Sequence, residues 1–460
     1  MNNKKILVIA IASALLVACS QAVTPKKVSA NKDYKLGAVA GTEFSQKVTS
    51  QVDVLFVVDD SGSMEEEQQK LKQAIPAFIK SLGNQLDWQV AVTRSWDDSN
   101  GIAVNGKDRT HLFKPVKVKD LKGERDMVRG ELLPVLNPNG GELLKYNNGR
   151  GEAPLRFVRK STSAPGFTSP DSEPDYHHIL SSHLLVGFRG YPNYVVNSSG
   201  SAVLKGGKTQ PLPLNVGWGP QYEVMMDVAR EALTPTTRAG KLNQGFFRPG
   251  SRLVLVFLTD APDASGLEVN QYAEYFKGIA HRNVGLDSSA EQLEHALTVY
   301  GILPFKQRCA AGESTGDMDP DIAGLSLPRD LKVYQLVEDV MGSRNTSSYS
   351  FDICSKKEVY ASKMRALGDT IRKSSKVYVQ LKSGKPDNRL KVWFGRGTPG
   401  TESFVGVQLV NEGYNNDWYY KAEDGKEHIV INPKAFDDYG LNTMAGEVKI
   451  TDYYPEQKAK

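Results

Sequence analysis

Asp59, Ser61 and Ser63 stand at alternate positions directly after the apolar run Val54-Leu55-Phe56-Val57-Val58. An Asp-x-Ser-x-Ser at the carboxyl end of a strand offers one carboxylate and two hydroxyls to a single point. Small hard cations that prefer oxygen, Mg²⁺ above all, want such a set. The protein supplies too few charged ligands to complete an octahedron, so a partner's carboxylate can complete it. The same spacing also fits a Ser/Asp turn with no metal. The buried-strand flank and the helical stretch that follows favour the metal site.

Other chemistries find little support. His177, His178 and His183 match no zinc-ligand spacing, and neither HExxH nor a CxxC pair occurs. They read as exposed or satisfied histidines. The segment Ala202–Thr209 imitates a phosphate loop but lacks its first glycine, and Pro211 and Pro213 crowd the place where a helix would begin. No GxSxG elbow is present. Paired acids such as Asp97-Asp98, or Asp317 and Asp319, read as ordinary loop carboxylates. The chain is expected not to be an enzyme; a hydrolase with its site in the long insertion described below is the rival from that class.

From about residue 50 the chain alternates apolar strands with amphipathic helices, which predicts βα units and a mostly parallel sheet. Strands are expected at Val52–Val58, Trp88–Thr93, Arg252–Thr259, Val299–Leu303 and Tyr349–Cys354. The helix after the first strand carries Leu71, Ile75, Phe78 and Leu82 on one stripe. Glu65, Glu66 and Glu67 open it, where the helix dipole favours acid. Further helices are expected at Gln221–Leu233, Val269–Ala280, Ser289–Leu297, Asp330–Val340 and Lys356–Arg372. Ser288-Ser289-Ala290-Glu291 has the spacing of a capping box for the third of these.

Strand, DxSxS, helix and alternating βα units together resemble the von Willebrand factor type A domain, over roughly 50–375. A second motif supports the resemblance: Leu253–Asp260, a buried strand ending in Thr-Asp. The Gly217-Trp218-Gly219 stretch with nearby Glu223 is similar to the bacterial lipoprotein branch of that family. The resemblance implies a Rossmann-like α/β fold and a metal-ion-dependent adhesion site, with Asp59, Ser61, Ser63 and Asp260 as ligands. One family ligand has no counterpart, because no Thr stands between Gly217 and Glu223. Gln221, Glu223 or water would fill its place. A directly bound Glu223 would neutralise more of the cation and weaken its pull on an incoming carboxylate. Glu223 reads equally as a first-turn acid favoured by the helix dipole.

The N-terminus gives an address. Lys4 and Lys5 precede an apolar stretch, Ile6–Val17, too short for an ordinary membrane span. It ends Leu16-Val17-Ala18-Cys19, which resembles the lipobox of bacterial lipoproteins. Residues 1–18 would be a signal peptide, Cys19 the lipidated residue, and Ser20 fits outer-membrane sorting. The mature chain would be lipid-anchored at the outer membrane, periplasm- or surface-facing, over a flexible tether at 19–47. Losing Lys4 and Lys5 lowers the formal +4 by two, a balance that gives no reason to expect nucleic acid or a polybasic membrane patch. Cys309 and Cys354 then remain as an even pair in an oxidising compartment, which favours a disulfide over two buried thiols.

The α/β module, 48–375, carries a long insertion at 95–216, dense in Gly, Pro, Asn and Ser, which is expected to hold its own hairpins or a helix or two. After about 376 the apolar period changes to two, as in Val377, Val379 and Leu381 or Leu390, Val392 and Phe394. The segment 376–460 reads as a small antiparallel β-domain with Trp393, Trp418, Tyr419 and Phe436 for its core. The composite expectation is a membrane-anchored adhesion lipoprotein that binds an acidic residue of a protein partner through Mg²⁺, or Mn²⁺ or Ca²⁺. The alternative is a metal-independent structural scaffold of an envelope assembly.

Overall fold

The computed structural model describes residues 42–453 except 48–49, 62–63, 84–85, 96–116, 121–122, 139–142, 148–151, 166–172, 186–193, 197–201, 205–222, 285–292, 310–321, 343–345, 376, 381–389, 397–404, 413–414, 424–425, 433–434, 436–437 and 440–446. Of the described residues, 42–47 and those after 376 belong to one compact unit, and those from 50 to 375 form the other. The described chain begins with β1 (Thr42–Lys47) in the first unit and passes into the second with β2 (Ser50–Val58). There follow α1 (Glu65–Leu82) and β3 (Leu86–Arg94). The insertion contributes β4 (Lys117–Asp120), β5 (Gly123–Asp126), β6 (Lys145–Asn147), β7 (Glu152–Pro154), β8 (Val158–Arg159), α2 (Asp175–His183), β9 (Tyr194–Val196) and β10 (Ala202–Leu204). After it come α3 (Met225–Leu233), α4 (Arg238–Leu242), β11 (Arg252–Leu258), α5 (Val269–Val284) and β12 (Leu297–Leu303). The unit closes with α6 (Lys332–Met341), α7 (Thr346–Tyr349), β13 (Ser350–Asp352) and α8 (Lys357–Lys373).

A six-stranded sheet in the order β13-β12-β11-β2-β3-β8 organises the α/β unit. Its first five strands are parallel; only β8, from the insertion, runs antiparallel, beside β3. Strands buried on both faces must be apolar throughout rather than alternating. That is why β11 reads Arg-Leu-Val-Leu-Val-Phe-Leu and is buried from end to end. Parallel pairing sets Val58, Leu258 and Arg94 at one end of the sheet, because Leu258 pairs with Val58 and Val58 with Arg94. The ladder runs on past the strands: the Asp59 amide donates to the Leu258 carbonyl at 2.9 Å, and the Ser95 amide to the Val58 carbonyl at 2.9 Å.

The α1 stripe of Leu71, Ile75, Phe78 and Leu82 is fully buried, and α8 packs along this helix. Gly368 permits the approach. A Cβ there would lie 2.8 Å from the Phe78 carbonyl oxygen, closer than such contacts occur. Within the insertion, β4–β5, β6–β7 and β9–β10 are antiparallel hairpins. The insertion also follows β3: the Leu133 amide donates to the Val92 carbonyl at 2.8 Å, and Leu132, Leu133 and Val135 join the core. It therefore has the hairpins and the helix that its length demands, and it extends the main sheet.

Several boundaries differ from the sequence reading. β12 begins at Leu297, so the helix expected at Ser289–Leu297 cannot reach its last residue; 289–292 lie outside the described residues. Pairing of Leu297 with Leu253 draws this stretch into the sheet. Tyr349 ends a short helix, and the strand expected at Tyr349–Cys354 is confined to Ser350–Asp352. α3 starts at Met225 rather than Gln221, because Glu223 pairs with Asp263 through the backbone.

The other unit adds β14 (Val377–Gln380), β15 (Lys391–Arg396), β16 (Val405–Leu409), β17 (Asn411–Glu412), β18 (Asn415–Asn416), β19 (Trp418–Glu423), β20 (Lys426–Ile431) and β21 (Glu447–Tyr453). A sheet ordered β1-β21-β15-β16 and another ordered β14-β20-β19, both antiparallel, share one core. Residues 42–47, placed by the sequence reading at the end of the tether, instead form an edge strand paired with β21. The α/β unit is thus inserted in sequence between the first strand of this β-unit and the rest. Of the aromatics assigned to the β-core, Trp418 is buried, Trp393 and Tyr419 are half-exposed, and Phe436 lies outside the described residues. Leu390, Val392, Phe394, Ile429, Ile431, Val448 and Ile450 fill the core, as inward-facing positions of alternating strands should.

Candidate functional site

The Asp59 loop is built where β2 ends. The side chain is fully buried. Its Oδ1 accepts the Ser61 amide at 2.7 Å, an Asx turn that sets the following residue, and its Oδ2 accepts the Thr259 hydroxyl at 2.8 Å. Gln68, one turn into α1, donates its amide to the Asp59 carbonyl at 2.9 Å. The motif is therefore held from β11 on one side and from α1 on the other. Burial pushes the Asp59 carboxyl up to about 7; the charge of Asp60 adds to this, while the bonds from Ser61 and Thr259 oppose it. A buried carboxylate of this kind favours a nearby cation.

Asp60 has partners of its own. Arg94, at the end of β3, forms an ion pair with it, and the Ser95 hydroxyl donates to its Oδ1 at 2.8 Å. Burial raises its pKa and the Arg94 charge lowers it. Asp60 is thus matched by a protein cation, whereas Asp59 is met by neutral donors.

Asp260 lies one residue beyond Thr259 and is 2 % exposed. Parallel pairing of β2 with β11 brings it to the same end of the sheet as Asp59. Ser61 is half-buried at the turn, while Ser63 lies outside the described residues. Glu223 is buried, and its carbonyl accepts the Ala264 amide at 2.7 Å. Gln221 lies outside the described residues.

A second polar cluster, absent from the sequence reading, fixes Glu223 in the chain. Asp263 Oδ2 accepts the Met226 amide at 3.0 Å, and its Oδ1 accepts the Ser265 amide at 2.7 Å. Asp227 accepts the Gly266 amide at 3.0 Å and the Tyr272 hydroxyl at 2.7 Å. The loop after β11 in this way caps the start of α3 from outside the helix. Burial raises Asp263 to about 6 against the bonds it accepts. The signal in sequence was Asp263-Ala-Ser265-Gly266, an Asx-turn pattern. Thr259 and Gln68 were equally visible as residue types, but only pairing shows what they hold.

Asp59, Ser61 and Asp260 offer hard oxygen donors at one sheet end, the type of set that Mg²⁺, Mn²⁺ or Ca²⁺ accepts. Among the described residues no three His, Cys, Asp or Glu side chains converge as a metal cluster, so any such site here rests on hydroxyls as well as carboxylates. The histidines are not exposed. His177 is 6 % and His183 3 % exposed on α2, and His177 Nδ1 stands 3.3 Å from Glu173. Neither nitrogen of His183 has a hydrogen-bond partner among the described residues, and burial lowers its pKa to about 3. The helix that carries them packs on α1 and on β8. Cys309 and Cys354 are joined, with Cα atoms 5.1 Å apart. Cys19 lies outside the described residues, and among those residues no helix is long and apolar enough to cross a membrane.

No protein-family model matches the chain, and no curated protein matches it in sequence. Among solved structures, the chain is similar to the pilus adhesin SpaC from Lactobacillus rhamnosus GG, at 11% identity and a TM-score of 0.28, over 88% of this chain and 40% of the adhesin. It is also similar to proximal thread matrix protein 1 of the mussel byssus, at 10% identity and a TM-score of 0.26, over 75% of this chain and 51% of that one. The chain thus spans about half or less of the length of these proteins. Likeness at such scores carries no functional argument.

Proposed function

We propose that this chain is a lipid-anchored binding protein of the bacterial envelope that captures a protein partner through a divalent cation, Mg²⁺ in the first instance. The observation that carries the reading is the buried Asp59 carboxylate, fixed by Ser61 and Thr259 at the sheet end that Asp260 also reaches. The resemblance of the DxSxS and Thr-Asp motifs to the von Willebrand factor type A domain supports it. Asp59 would supply charge and orient water; Ser61 and Ser63 would coordinate directly; Asp260 would act through water or as an outer acceptor. When bound, the cation would offer an open position to an Asp or Glu of the partner.

Glu223 enters this reading as the residue that tunes that affinity. Its backbone is fixed by Asp263, so its carboxylate is delivered on the loop that opens α3. If it reached the cation it would lessen the pull on a partner's acid. Cys19 would anchor the chain to the outer membrane, where the Cys309–Cys354 disulfide is chemically at home. Isothermal titration of residues 20–460 with Mg²⁺ and Mn²⁺ tests the proposal. Binding that Asp59→Ala abolishes is expected. No binding, together with a wild-type envelope phenotype in an Asp59→Ala, Asp260→Ala double variant, would transfer the role to a metal-independent scaffold.

A further inference from the structure

Lys70 is a cation in an unusual place. It lies on α1, two turns after the DxSxS motif, and is 6 % exposed. Burying a lysine is costly unless its ammonium finds partners. Lys70 finds them in the loop after β13: Nζ donates to the Ile353 and Ser355 carbonyls, each at 3.3 Å. It also pairs with Glu67 at 3.5 Å and stands 5.1 Å from the centre of the Tyr360 ring. The Tyr360 hydroxyl donates to the same Ile353 carbonyl at 2.9 Å.

The two carbonyls that hold Lys70 flank Cys354, which is disulfide-bonded to Cys309 beyond β12. Asp352 ties the same two loops, accepting the Cys354 amide at 3.1 Å and the Phe305 amide at 3.3 Å. On the other side, Gln68 of the same helical turn donates to the Asp59 carbonyl. An unbroken chain of bonds therefore runs from the disulfide through Ile353 and Ser355 to Lys70, along α1 to Gln68, and on to the first residue of the motif.

We propose that Lys70 is a positioning residue through which the Cys309–Cys354 disulfide governs cation binding at the Asp59 site. Closure of the disulfide fixes the carbonyl pair, the pair fixes Lys70, and the start of α1 is thereby held in the register that presents Asp59 and Ser61. Opening the bond takes two electrons and two protons from a dithiol. Cys309 and Cys354 are left as thiols and the dithiol as its cyclic disulfide. The carbonyl pair is then free to turn, and the ammonium loses a fixed seat. Groups that orient ligands from outside the coordination sphere typically change metal affinity about 10–100-fold.

This inference rests on the cation reading, and its test separates the two. Mg²⁺ affinity is measured by titration calorimetry on the oxidised chain, and on the chain reduced with dithiothreitol and then freed of it anaerobically. Lys70→Met and Lys70→Arg are measured in both states. Reduction of the wild type is expected to weaken binding about ten-fold or more. Lys70→Met should bind as weakly as the reduced wild type and respond little to reduction, while Lys70→Arg retains both affinity and redox response. Equal affinity in the oxidised and reduced wild type overturns the inference and leaves the cation site standing. So does a Lys70→Met chain as redox-sensitive as the wild type. If the oxidised wild type binds no cation, the cation reading itself fails, and amide hydrogen exchange over 59–70 in the metal-free chain decides the coupling. Faster exchange on reduction, lost in Lys70→Met, supports it; unchanged exchange ends it.

Discussion

His183 should make the chain acid-sensitive by an amount that can be worked out beforehand. It is buried on α2 without a hydrogen-bond partner among the described residues, and burial alone lowers its pKa from 6.5 to about 3. The folded imidazole is therefore neutral over a range in which the unfolded one takes up a proton. Stability from this group is complete above about pH 6.5 and is lost as the pH falls toward 3. Each pH unit inside that window costs about 1.4 kcal/mol. Between pH 7 and pH 5 the loss is about 2 kcal/mol once partial protonation near 6.5 is included. The chain holds 7 histidines, so the wild type alone does not isolate the effect. Urea unfolding of wild type and His183→Leu at both pH values does. The stability difference between them should move by about 2 kcal/mol in favour of the variant at pH 5. A difference that stays constant across the range would show that His183 is solvated or partnered, and would refute the argument.

Three further outcomes follow from the packing and the site. Gly368→Ala drives a methyl against the Phe78 carbonyl and should cost about 1–3 kcal/mol in chemical denaturation, because α8 must leave α1 to make room. Asp263→Ala removes the acceptor of the Met226 and Ser265 amides and should destabilise the chain by about 1–3 kcal/mol, with faster amide exchange at the start of α3. Burial holds Asp59 at about 7, above its unfolded value, so without a cation its ionisation opposes folding as the pH rises from about 4 through 7. Asp59→Asn in EDTA at pH 8 should accordingly melt higher than the wild type, and a lower melt would contradict the assigned burial cost.

The parallel strands were legible because a strand covered on both faces is mostly apolar; β11 runs apolar from Leu253 to Leu258, and β2 does so from Val54 to Val58. The amphipathic stripe of α1 was legible for the complementary reason. β1 was not. Thr-Glu-Phe-Ser-Gln-Lys carries one large apolar residue, and its partner β21 lies some four hundred residues along the chain, so its pairing has no local signature. The burial of His177 and His183 was equally hidden, because it depends on where the insertion lays α2, not on the residues around them. At the candidate site, residue types singled out Asp59, Ser61 and Asp260, and the parallel pairing of β2 with β11 sets Asp59 and Asp260 at one end of the sheet. The Asp60–Arg94 pair and the hold of Thr259 on Asp59 are set by register between neighbouring strands, which spacing along one strand does not reveal.

The most direct measurement is a thermal melt of residues 20–460 in EDTA and in Mg²⁺, Mn²⁺ or Ca²⁺, run beside Asp59→Asn. A cation that binds only the folded chain must raise its midpoint by mass action. A rise in the wild type with at least one of these cations, and none in the variant, is expected. Superimposable wild-type curves with and without cation at millimolar concentration would contradict it.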